Sequence, residues 1–157
     1  MNRTIRLVVA VISLSYMVIA APANAQNLKD KLTGAWSLEA GSETSQDGKK
    51  VMPWSAGSLI LVSSGEFSFF VVGKERPKGG GDPRVPVGPL VGYYGTYTVN
   101  EADNTFMYKI EHATNSSFDG GTRSLKISFK GDTMTTTTDV KTPKGTITAA
   151  NTWKRAK

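Results

Sequence analysis

The chain of 157 residues contains no cysteine and a single histidine, His112. Without a thiol there is no disulfide framework, no thiolate nucleophile and no attachment point for a lipoprotein anchor. A lone histidine without clustered carboxylates cannot build the usual zinc shell, so neither a metal nor a cofactor is expected. No serine lies in a recognisable nucleophile elbow. The glycine-rich "KGGGDP" at 78–83 lacks the Gly-Lys-Ser/Thr ending and following helix of a phosphate-binding loop. The 19 lysines and arginines are scattered among 13 acids rather than drawn into a stripe with aromatics. Nucleic-acid binding is therefore not expected, and the excess positive charge is read as a solubility feature.

One long apolar run exists, "LVVAVISLSYMVI", preceded by "MNRTIR" and followed by "APANA". A positive segment, an apolar segment and a small-x-small site ending at Ala25 read as a secretory signal peptide cut before Gln26. The run is short for a membrane span, which needs ~20 residues. The expectation is thus a leader over 1–25, one mature domain over 26–157 without a membrane span, and a periplasmic or extracellular location. Loss of Arg3 and Arg6 takes the formal charge from +6 to +4.

Beyond "NLKDKLTG", which reads as a short helical turn at 27–33, helical periodicity is nearly absent. Threonine, valine and aromatics recur with turn signals at short intervals, the pattern of an all-β sandwich or barrel. Strands are predicted at 34–42, 57–63, 66–73, 91–99, 105–114, 122–129, 133–140 and 146–155. Eight strands joined mostly by short turns suit an antiparallel up-and-down barrel, which at this strand number can enclose one small ligand. The stretch 74–90 carries four prolines and several glycines. It reads as a long loop, either a lid or a plain connection.

Period-two alternation assigns the faces. Phe106, Tyr108, Ile110 and His112 share one face of their strand, as do Arg123, Leu125, Ile127 and Phe129 of the next. "VNEADNTF" sets Val99 opposite Phe106, Tyr97 opposite Tyr108 and Tyr93 opposite His112. "FKGDTM" reads as a type II′ turn at Gly131-Asp132, pairing Phe129 with Met134 and Ile127 with Thr136. Closing "TNSSFDGGTR" with Thr114 near Arg123 makes His112 and Arg123 diagonal neighbours on the inner face. The hairpin at 57–73 is apolar on both faces: either its outer face is covered, by the N-terminal segment or by a second copy of the chain in a homo-oligomer, or it carries ordinary scattered exposed apolar residues.

Several short motifs carry a resemblance: "LTGAWSL" with Gly34-x-Trp36, Asp47-Gly48, Ser64-Gly65, "YYGTYTV", "GGTRSL" and a closing "WKR" with Trp153 and Arg155. Together, over 32–155, they resemble the lipocalin-like domain family of the calycin β-barrels. The resemblance implies that Trp36 lies across the closed end of a barrel beneath Arg155, with Gly34 and Trp153 as structural companions. A clear second lipocalin motif is missing, so no ligand class carries over.

The expected inner polar set is Tyr93, Tyr97, Tyr108, His112, Arg123 and Asn151. A buried guanidinium is costly without a partner, and no carboxylate falls on the inner faces predicted beside Arg123. It either reaches the rim or awaits an anionic or carbonyl ligand. The favoured reading is a secreted binding protein for a small, partly apolar molecule. An enzyme of the same fold, an isomerase, cyclase or dehydratase using His112 with a tyrosine as acid and base, is the first alternative. A structural or inhibitory module with a filled barrel is the second.

Overall fold

A computed structural model describes residues 23–76, 82, 84 and 88–157. Most of the expected leader and the middle of the 74–90 loop lie outside the described residues. A helix, α1, spans Ala23–Leu32, and its first three residues precede the expected cleavage point. Nine strands follow: β1 (Gly34–Ser45), β2 (Lys50–Val51), β3 (Trp54–Leu61), β4 (Glu66–Gly73), β5 (Leu90–Asn100), β6 (Thr105–Ala113), β7 (Thr122–Lys130), β8 (Thr133–Thr142) and β9 (Gly145–Arg155). Each strand from β3 to β9 is antiparallel to the next, β3 pairs with β1, and β1–β9 pairing closes the barrel. The barrel has eight strands; β2 only extends the end of β1 as a two-residue hairpin partner.

Turn chemistry and alternation account for most of this. Gly131 adopts φ 59° while Asp132 keeps a negative φ, the II′ pattern that suits a right-twisted hairpin. Phe129 then pairs with Met134 and Ile127 with Thr136. Across β5 and β6, Val99 pairs with Phe106 and Tyr97 with Tyr108. The inward set Phe106, Tyr108 and Ile110 is almost wholly buried.

The closed end is built around Trp36. Its indole Nε1 donates to the Leu32 carbonyl at 2.8 Å, so α1 is tied to β1 where it enters the barrel. Leu28 and Leu32 are buried there. The Arg155 guanidinium lies 4.2 Å from the Trp36 ring centroid and donates to the carbonyls of Thr33 and Lys31. Gly34 sits below it with φ 130°. A Cβ there would lie 2.9 Å from Arg155 Nη1, so glycine meets both the backbone angle and the close approach.

One expectation about facing fails. His112 lies on the outer surface, its side chain 71% exposed and its Nδ1 3.5 Å from Asp119 Oδ2. The cause is a β-bulge. Gly95 pairs with Ile110, but Tyr94 pairs with His112, leaving Glu111 as an extra residue. One inserted residue reverses the facing of everything after it, so Ala113, not His112, stands opposite Tyr93. Gly95 makes this geometry accessible: a Cβ would lie 2.0 Å from the Lys109 carbonyl oxygen. The Thr114–Arg123 closure is also replaced. Arg123 pairs with Tyr108, β6 runs on past the β6–β7 ladder to Ala113, and residues 114–121 connect the two strands through a 3-10 turn at Ser116–Phe118.

On the outer face of the β3–β4 hairpin, Ile60 and Phe70 are each 44% exposed. Helix α1 packs at the closed end and leaves this strip open; no described residue covers it.

Candidate functional site

Opposite the Trp36 end, the barrel encloses a cavity of about 350 Å³. Its walls are mainly apolar: Phe69 and Val71 of β4, Val91 of β5, Leu125 of β7, Val140 of β8, and Ile147 and Ala149 of β9. Trp54 and Pro53 close one side of the mouth and Phe118 another. Trp153 is fully buried, its Nε1 donating to Thr136 Oγ1 at 3.0 Å. That bond satisfies the one polar atom of the indole, and Phe69 meets the Trp153 ring edge-on at 5.8 Å.

Polar groups are few and clustered. The hydroxyls of Tyr93 and Tyr108 lie 2.6 Å apart, and Tyr93 stacks on Phe69 with centroids 4.6 Å apart. Their mutual hydrogen bond uses one hydroxyl proton and leaves the other free to donate. Burial pushes the Tyr93 phenol up, against the opposing effects of the Tyr108 hydrogen bond and the Arg123 charge. Tyr108 is driven well above its ordinary value, first by burial and then by the neighbouring Tyr93. Both phenols stay protonated at neutral pH and act as donors, not as bases.

Arg123 projects from β7 with its guanidinium 4.7 Å from the Phe118 ring centroid and 5.8 Å from that of Tyr93. It makes no ion pair among the described residues. Glu43 belongs to the same lining without pairing with it. Asn151 presents a buried Oδ1 that has no hydrogen-bond partner, a state costing about 1–3 kcal/mol until a donor arrives.

Of the six expected inner polar residues, Tyr93, Tyr108, Arg123 and Asn151 come together around one cavity. Tyr97 does not join them. It is buried toward the closed end, and its hydroxyl donates to the Val62 carbonyl at 2.9 Å. That hydroxyl is already satisfied inside the protein. His112 lies outside with its ring beside Tyr94, so the pairing of His112 with a cavity tyrosine is absent. Trp54, Phe69, Phe118 and Glu43 escaped the sequence reading. Trp54 falls just before the strand predicted from 57, Phe69 lies on a strand apolar on both faces, and Phe118 reaches the mouth only through the 3-10 turn.

Neither a protein-family model nor a curated protein matches the chain. The chemistry of the cavity therefore has to carry the functional reading.

Proposed function

We propose that this protein binds a small, partly apolar molecule bearing a carboxylate or carbonyl group in a lipocalin-like barrel, after export to the periplasm or the extracellular space. The observation that carries the reading is Arg123, a half-buried guanidinium at an apolar cavity with no carboxylate partner among the described residues. Such a group is costly to bury alone, and a ligand carboxylate or carbonyl would satisfy it together with the free tyrosyl proton. A ligand N–H or O–H would likewise satisfy Asn151 Oδ1. The cavity volume of about 350 Å³ lies within the range of small-molecule sites, which argues against a filled barrel. Acid–base catalysis by His112 with a cavity tyrosine has no support, since the imidazole is on the other side of the wall.

Native mass spectrometry of protein purified from its source tests the reading. The expected result is an adduct of small-molecule mass that dissociates on activation and is depleted in Arg123→Gln. Bare chain in every preparation, from wild type and variant alike, refutes it.

A further inference from the structure

The barrel wall is incomplete between β7 and β8. Their ladder runs from Lys130↔Thr133 only as far as Lys126↔Thr137, although β7 begins at Thr122 and β8 continues to Thr142. Beyond that point β7 is held by β6, through Thr122–Lys126, and β8 by β9, through Thr138–Thr142. A side-chain hydrogen bond from Thr138 Oγ1 to the Ser124 carbonyl, 2.9 Å long, spans the parting. Facing backbone groups without ladder partners call for water or a ligand.

Outside this parting lies a groove of about 580 Å³ lined by hydroxyl-bearing side chains, among them Thr122, Ser124, Thr137 and Thr148, with Lys126 and Asp139. Asp139 accepts from Thr148 Oγ1 at 2.7 Å. Arg123 and Thr138 belong to both linings, that of the interior cavity and that of the outer groove. The only cation of the cavity wall thus stands in the breach of the wall, among the described residues. One side of it is apolar and the other is polar.

We infer that the ligand is an elongated amphiphilic carboxylate whose apolar part fills the barrel and whose head passes between β7 and β8 to Arg123 and the hydroxyl-lined groove. This rests on the binding reading and sharpens it. A compact ligand held wholly at the mouth would leave Arg123 facing a polar groove it does not need. An amphiphile uses both spaces, and its carboxylate meets the guanidinium where the environment changes from apolar to polar, so a charge-assisted pair can form without the full desolvation cost of a buried one.

The absence of cysteine makes the test direct. In Ser124→Cys, a bulky maleimide attached at this exposed position fills the outer groove and leaves the interior untouched. Ser58→Cys, exposed on β3 at the opposite wall, carries the same label as a control. The probes are cis-parinaric acid and its methyl ester, followed by their own fluorescence. Wild type is expected to bind the acid at least about tenfold more tightly than the ester. Labelling at Ser124 should weaken the acid about tenfold or more, and labelling at Ser58 should not. Arg123→Gln should abolish the preference for acid over ester, and Arg123→Lys should restore part of it. Comparing labelled with unlabelled samples of one variant removes differences in folding. Unchanged acid affinity after labelling at Ser124 overturns the lateral seat, and equal affinity of acid and ester in wild type overturns the carboxylate. Failure of both probes overturns the amphiphile, whereas the binding reading itself stands or falls on the molecule that copurifies.

Discussion

Gly95→Ala is the most informative single change in the barrel, because its cost follows from backbone geometry alone. The added Cβ would lie 2.0 Å from the Lys109 carbonyl oxygen and 2.9 Å from the Glu111 amide nitrogen. Both obstacles are main-chain atoms, so no rotamer change relieves them, and β5 and β6 must separate or surrender the bulge. Overpacking of this kind costs typically 1–3 kcal/mol, and losing ladder hydrogen bonds adds about 1 kcal/mol each. A destabilisation of about 2–4 kcal/mol is expected. With a urea slope of about 2 kcal/mol/M, the middle of the range for small domains, the midpoint should fall by about 1–2 M. Tryptophan fluorescence is a suitable readout, since Trp36 and Trp153 are both buried. Deleting Glu111 in the same background removes the extra residue and lets Ile110, His112 and Ala113 alternate regularly. The double change should recover most of the loss, giving a coupling well outside additive behaviour. An unaltered midpoint in Gly95→Ala, or strict additivity with the deletion, would refute the claim that glycine admits the bulge.

At the closed end, Trp36→Ala should cost about 3–5 kcal/mol as a cavity-forming change. Arg155→Ala should cost distinctly less, about 1–2 kcal/mol for the lost cation–π contact and its carbonyl bonds; equal losses in urea melts would contradict the arrangement. His112→Ala should shift stability by less than about 0.5 kcal/mol and leave ligand affinity unchanged, since the ring is largely exposed outside the barrel; a loss of binding by titration would return it to the site. Tyr93 and Tyr108 have raised folded-state pKa values relative to an unfolded reference of about 10. The folded state therefore retains protons the unfolded state has lost, so their stabilising contribution is complete below pH ~10 and declines as pH rises toward the folded values. Phenolate absorbance should show these two ionising only with unfolding, and Tyr108→Phe should flatten the alkaline fall in stability. Early ionisation of every tyrosine in the folded protein would contradict the burial of the pair.

Local rules determine much of this protein. Period-two alternation puts Phe106, Tyr108, Ile110, Arg123 and Leu125 on one face, because adjacent side chains on a strand must point oppositely. Short turns with a left-handed residue at a defined position, Asn104 in one and Gly131 in the other, set the registers of Val99 with Phe106 and of Phe129 with Met134, because a tight turn leaves little freedom in the ladder it starts. These interactions span a few residues, and the residues that make them are adjacent in the chain. The tertiary structure decides the rest. The facing of His112 depends on an extra residue in β6 that is tolerated only because Gly95, sixteen positions earlier, lets the neighbouring backbone approach. An isolated glycine within a strand is the signal that marks such a site, but not on which strand the bulge falls. Tyr97 shares its face with Tyr93 and yet lies at the other end of the barrel, because alternation gives a side chain's face and not its depth. The parting of β7 from β8 has no counterpart in either strand's pattern, since a ladder's end is settled by how each strand is held by its other neighbour. Which polar groups meet around the cavity follows from closure by β1 and β9, a contact between the two ends of the fold that no local stretch encodes.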